Sequence, residues 1–343
     1  MQDASALTPD RIREIRQQKS TMRSRDLADS LGIAEAMVVA AEIGHGVTQI
    51  DATPDALMPL IPAMGEVMAL TRNENAVIEK TGPVTGYTPD TATVQGQGFE
   101  LRLTPRHWIH GFAVEEQKGK HLRRSIQVYD AAGDAVHKIY IGEDATDADW
   151  AGLVDSLRTE DQGRVLPLTP RHPVAPPHAD PDQREALRAA WDRLGGRSTF
   201  QGMLQDLGMS RLAAYRAAGA PHARPLSTDC IGTLLDGLAD RALPFTLLVG
   251  NPGCTEIHTG PAETIKPTGP WQNILDPAFN LHLRADRVAE LWAVTKPGQH
   301  GPALSVEAFD AGGELIAQFF GLRGGGAENA AQWADLVDSL PAA

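Results

Sequence analysis

Residues 150–157 read WAGLVDSL and residues 333–340 read WADLVDSL, seven identities in eight. Trp150 with Leu153, and Trp333 with Leu336, have the spacing of one face of an amphipathic helix. Upstream of each copy the agreement continues. FELRL at 99–103 answers to FNLHL at 279–283, FAV at 112–114 to WAV at 292–294, and SIQVYDAAGDAVHKIY at 125–140 to SVEAFDAGGELIAQFF at 305–320, all displaced by 180 residues (279 − 99). Coarser matches join LADSLGIAE (27–35) to LQDLGMSR (204–211) and KTGP (80–83) to HTGP (258–261). A chain that repeats itself once in this way is two copies of one structural unit.

The local patterns describe that unit. Residues 24–42 and 198–218 carry apolar residues at helical spacing, each interrupted by a Leu-Gly step that suits a turn. GEVMALTRNENAVIEKTG and PFTLLVGNPGCTEIHTG read as hairpins turning at Asn73 to Asn75 and at Asn251 to Gly253, and the 125–140 and 305–320 segments alternate around AAGD and AGGE. The fold class is therefore α+β with an internal duplication: helices first, then antiparallel strands, then a closing helix. Six prolines fall within residues 158–182, a semi-rigid spacer, so the expected domains are 1–157 and 183–343 on either side of it. A cleft between domains is a preferred place for a ligand.

Composition narrows the function. With 44 Asp plus Glu against 31 Lys plus Arg in 343 residues, the net charge is −13, which disfavours nucleic acid and anionic membranes as general partners. Cys230 and Cys254 are the two cysteines, too few for a disulfide framework. No run of about 18 apolar residues occurs and the N-terminus is polar, so the expectation is a soluble, cytoplasmic protein without membrane insertion. Walker A, G-x-S-x-G, H-E-x-x-H and dinucleotide-binding strings are missing, and the Gly324 to Gly326 run lacks the Lys and Ser/Thr of a phosphate cradle. His107 and His110 have no third ligand beside them, and His258 and His282 sit in strand-like segments. Residues 24–41 have the outline of a helix-turn-helix, but residues 1–40 hold six basic and six acidic side chains, without a basic stripe.

GEVMALTRNENAVIEKTG, GNPGCTEIHTGP, KPTGPWQNILDPAFNLHL, WAVTKPG and IAQFFGLRG, in this order, resemble the bacterial cytoplasmic haemin-degrading and haem-trafficking proteins of the HemS/HmuS type. The resemblance spans essentially the whole chain. It implies a pair of large antiparallel sheets with flanking helices, and haem held near the domain junction against the C-terminal half. The family's distal arginine falls on Arg102 in FELRL. Its propionate-side cations fall on Arg211 in LGMSR, Lys296 in WAVTKP and Arg323 in FFGLR, beside Phe320 of the same phrase. Four cations converging on one pocket would let an acidic protein take a dianionic ligand.

One departure stands out. The family's proximal histidine begins a His-Gln-Phe stretch, whereas this chain reads Arg197-Ser198-Thr199-Phe200, with Ser198 at the histidine's place. A neutral serine is a poor ligand for haem iron. His172, His178 and Met203 are the remaining candidates for the metal, with water as a further alternative. The expected function is haem binding in haem uptake and iron acquisition, with haem degradation as an extension in which Arg102 would act at the distal side. The alternative is a carrier or relict scaffold that lost its axial histidine, and a DNA-binding regulator ranks below both. Expected partners are haem, an inner-membrane haem importer and an electron donor.

Overall fold

The computed structural model describes residues 7–171, 173–195, 199–298, 301–322 and 324–343, in two compact units. The first unit comprises the chain up to Arg72, Glu79–Arg171 and Gly250–Glu256; the second comprises Asn73–Ile78, the residues from after Arg171 to Val249, and Ile257–Ala343.

The first unit opens with α1 (Pro9–Gln18), α2 (Ser24–Leu31) and α3 (Glu35–Ala40). Gly32 stops α2 in the left-handed region at φ 67°, the conformation glycine adopts without strain. Leu27, Ala28, Ile12, Val38 and Ala41 turn inward and form one small core. The cations of α1 are paired, Arg11 with Glu14, Arg13 with Glu42 and Arg16 with Glu116, so they do not line up as a stripe for a phosphate backbone. After β1 (Val47–Ile50) and the short α4 (Pro54–Leu57) come β2 (Glu66–Arg72), β3 (Ala76–Thr88), β4 (Thr93–Gly96), β5 (Phe99–Leu103), β6 (His110–Lys118), β7 (His121–Tyr129) and β8 (Ala135–Ile141). The strands run in the order β1-β6-β7-β8-β2-β3-β4-β5. Helix α5 (Asp147–Leu157) closes the unit, started by a capping box in which Thr146 and Asp149 satisfy each other's backbone N–H. It buries Trp150, Leu153, Val154 and Leu157 against the sheet core.

The second unit repeats the plan. Its helices are α6 (Arg184–Asp192), α7 (Phe200–Asp206) and α8 (Arg211–Ala218), followed by β9 (Ala223–Leu226) and α9 (Cys230–Asp240). Strands β10 (Phe245–Gly250), β11 (Cys254–Gly260), β12 (Trp271–Asp276), β13 (Phe279–Arg284), β14 (Glu290–Lys296), β15 (Ala303–Phe309) and β16 (Leu315–Gly321) precede the closing α10 (Gly326–Asp338). The order β9-β14-β15-β16-β10-β11 matches β1-β6-β7-β8-β2-β3 strand for strand. Trp333 and Leu336 of α10 are buried as Trp150 and Leu153 are.

Two hairpin tips belong to the unit opposite in sequence. In the first unit Trp108 Nε1 and Thr104 N both donate to Gly253 O at 2.9 Å, and the Asn251 amide donates to Arg72 O and Val136 O. In the second, Asn73 Nδ2 donates to Ile316 O at 2.8 Å, and Ala76 and Ile78 lie in the main core.

The Pro-rich stretch is fastened. Thr169 N donates to Ala131 O in the first unit. In the second, Pro177 lies against the turn glycine Gly313, whose φ is 84° and whose added Cβ would come within 2.3 Å of the proline ring. Cys230 and Cys254 are both buried free thiols. Among the described residues no helix is long and apolar enough to cross a membrane.

Candidate functional site

Helix α8 begins with Arg211 directly after the N-cap Ser210, and Tyr215 follows one turn on, so the two side chains share a face. That face packs on β14 and β15. The pairing of Val294 with Ser305 and Trp292 with Glu307 puts Trp292, Val294 and Lys296 on the same side of the sheet as Ser305, Glu307 and Phe309. Trp292, Val294, Phe309 and Tyr215 make that interface apolar.

A polar cluster is set into it. Glu307 accepts from Lys296 Nζ at 2.5 Å, from Tyr215 OH at 2.7 Å, from Ser305 Oγ at 2.9 Å and from Arg211 Nη1 at 3.3 Å. The phenol oxygen of Tyr215 also accepts from Arg211 at 3.2 Å. Phe200, at the start of α7, lies under both cations, with Lys296 Nζ 4.5 Å and the Arg211 guanidinium 5.2 Å from its ring centre. Such cation–π contacts are strengthened where water is scarce. Burial by itself would raise the Glu307 carboxyl, but the charges of Lys296 and Arg211 and the bonds from Lys296 and Tyr215 hold it at about 2. Burial pulls the Lys296 ammonium below its usual range, and Arg211 adds to that while Glu307 opposes it. The Tyr215 phenol is pushed well up, by burial and then by Glu307. Glu307 is 0% exposed, whereas the Arg211 and Lys296 side chains keep 25% and 13% of their surface. Two cations reach the outside and the anion does not. This suits carboxylates on a ligand with an aromatic body.

Of the residues expected from sequence, Arg211 and Lys296 are thus brought together. Phe320 is half-buried on β16, in register with Ser305. Met203 is 5% exposed inside the α6–α8 core, so its sulfur is packed away. His178 is exposed, and its backbone is tied to α8: His178 N donates to Ser210 Oγ, and Ser210 N to His178 O, both at 2.9 Å. The other described imidazoles of this unit are engaged, His222 with Asp192, His282 with Asn273, and His258 stacked on Phe279 at 3.6 Å. Arg102 belongs to the first unit, where its side chain is 55% exposed and donates to Glu100 at 2.7 Å. His172, Ser198 and Arg323 lie outside the described residues. The HWIH stretch puts its two histidines in different settings: His107 accepts from Arg106 at the end of a short turn, and His110 is buried at the head of β6. Among the described residues no group of three His, Cys, Asp or Glu side chains is placed to hold a metal ion.

Glu307, Tyr215 and Ser305 complete the cluster without any motif to mark them. A signal did exist in the repeat: SIQVY and SVEAF both put two polar residues on the same face of an otherwise apolar strand.

Comparison with known proteins agrees with this outline. The haemin-degrading HemS.ChuX domain matches residues 32–157 and again 208–340. The hemin transport protein HemS of Yersinia enterocolitica is 31% identical over 324 residues, 92% of each chain. Holo-PhuS, a heme-binding protein from Pseudomonas aeruginosa, superposes with a TM-score of 0.90 at 36% identity, covering 98% of this chain and all of that one. ChuS, described as an E. coli heme oxygenase, superposes with a TM-score of 0.81 at 28% identity over 92% of this chain and 95% of its own.

Proposed function

This chain belongs to the family of haemin-degrading HemS/ChuX domains, of which it carries two copies, and from that premise we propose that it binds haem in the cytoplasm as a step of haem uptake and iron acquisition. The observation that carries the reading is the pair Arg211 and Lys296, held side by side over Phe200 and partly open to solvent. Two cations of this kind hold the propionates, and Phe200 lies along the apolar edge of the ring. The resemblance assigns Arg323 to the propionates and Phe320 to the haem contacts, and gives Arg102 the distal role. With Ser198 at the usual histidine's place, His178 is the residue we assign to the iron, because it is exposed and its backbone is anchored one residue from Arg211. An inner-membrane importer is the source of haem in this scheme.

Breaking the ring is a second reading, favoured by the family's description and by the oxygenase relative. Bound haem supplies the iron and the ring chemistry, and an electron donor must supply reducing equivalents. The protein's part is to hold the propionates, exclude bulk water and position Arg102. A carrier that has lost the axial histidine is the competing outcome.

Titration of the purified protein with hemin, followed at the Soret band, is expected to give saturable 1:1 binding. Arg211→Ala with Lys296→Ala should weaken it by roughly 10²–10⁴-fold, since each of the two charge-assisted bonds contributes about 1.5–3 kcal/mol. His178→Ala should shift the band. No saturation by the wild type would overturn haem binding. Product formed above a free-hemin control, given reductant and oxygen, decides for the enzyme over the carrier.

A further inference from the structure

Glu307 sits deeper than the cations around it. Its carboxylate is fully withdrawn from solvent, and four side chains from α8, β14 and β15 converge on it, the shortest contact being Lys296 at 2.5 Å. With Arg211 and Lys296 both charged, the cluster carries a net +1. Like charges this close and this poorly solvated repel strongly. Removing the anion between them would drive them apart or drive the proton off the lysine.

We infer that Glu307 is the positioning residue of this site, the fixed anion that keeps the Lys296 ammonium and the Arg211 guanidinium charged and adjacent, so that an incoming carboxylate meets two cations instead of one. The inference rests on reading Arg211 and Lys296 as the ligand's cations.

The other copy of the repeat shows what is particular here. Gln127 stands 180 residues before Glu307, and there the carboxylate comes from Glu35 at the start of α3, the place Arg211 takes in α8. Arg72 and Lys138 each bond Glu35 at 2.5 Å. Both copies therefore keep two cations on one buried carboxylate. In the first copy the helix residue is the sealed anion, 5% exposed; in the second the anion has moved to the strand, and the helix residue is a cation that reaches solvent.

The groups facing Lys296 are few. Glu307 comes from β15, Arg211 and Tyr215 from α8, and the uncharged ring of Phe200 from α7. On β9's side, His222 gives its backbone oxygen to Thr295, and its ring is bonded to Asp192 at 2.8 Å. Glu307 is the one anion bonded to Lys296 among the described residues.

The chain has seven lysines, few enough for 13C NMR of the ε-carbons to follow Lys296 by itself, assigned with Lys296→Met. In Glu307→Gln the Lys296 signal is expected to titrate at least one pH unit lower than in the wild type. The hemin Kd of the variant should be at least tenfold weaker than the wild-type value at pH 9 and recover part of that loss at pH 6, where the lysine is charged again, while the wild type changes little. An unchanged lysine titration, or an affinity loss of the same size at both pH values, overturns the inference, because a merely structural defect would not follow the lysine's proton. The lysine titration needs no hemin, so a wild type that fails to bind hemin refutes the haem reading and leaves this one to its own result. If Glu307→Gln does not fold, Glu307→Asp keeps the charge but draws the carboxylate back from the Lys296 ammonium it contacts at 2.5 Å, and should shift Lys296 by a smaller amount in the same direction; no shift overturns the claim equally.

Discussion

Glu256 and Glu307 are both fully buried glutamates, and their surroundings drive them in opposite directions. Burial lifts the Glu256 carboxyl from 4.5 to about 8, against weaker pulls from Thr71 and Lys80, whereas its cations hold Glu307 at about 2. For Glu256 the folded state keeps a proton that the unfolded chain has lost, so stability falls as pH rises from 4.5 to about 8. Glu256→Gln is expected to flatten urea-unfolding free energies between pH 5 and 8 and to raise stability at pH 8 by about 2–4 kcal/mol. An unchanged slope would count against this assignment. Glu307 and Glu35 work the other way: their contribution is present above 4.5 and lost as pH falls through about 2. Sequence named Arg211 and Lys296 only through resemblance and passed over Glu307, since a charged residue in an alternating strand ordinarily faces water. That it faces inward follows from α8 lying over the same face, a long-range contact that alternation does not encode.

At the scale of elements, the hairpins and the paired helices were legible because their punctuation is local. A Leu-Gly step or an Ala-Gly-Gly turn states its own backbone conformation, as Gly32 at φ 67° and Gly313 at φ 84° show. The surface on which the spacer rests was not legible, because proline restricts its own backbone without specifying a neighbour. Gly313 joins the two. An alanine there must adopt positive φ and also displace Pro177, so Gly313→Ala is expected to cost about 1–3 kcal/mol and lower the melting temperature by roughly 2–10 °C. Differential scanning calorimetry measures it. With His178 one residue from Pro177, the same variant should broaden or shift the Soret band of the hemin complex; an unmoved band would argue that the spacer's seat and the iron are independent.

At the scale of the whole chain, the duplication was plain from sequence, but the ownership of the hairpin tips was not. Both copies carry the same hairpin, and which unit a tip joins depends on contacts between residues more than 100 apart. Trp108, Val136 and Arg72 are completed by Asn251 and Gly253. A fragment ending at Arg171 therefore lacks part of its own core, including the Cys254 that packs there. It is expected to unfold at lower temperature and with less cooperativity than the same fragment mixed with a 172–343 piece. Circular dichroism melts would show the difference, and coincident melts would reject it.

The exchanged tips also set a timetable for synthesis. Domains generally fold in order as they leave the ribosome, at about 5–20 residues per second. Here the first unit stays unfinished until residue 256 emerges, 85 residues after Arg171 (256 − 171). That interval is about 4–17 s at those rates. Through it Trp108 and Val136 wait with an open edge, a nascent surface for chaperones to cover, so the half made first becomes complete only while the half made second is already being built.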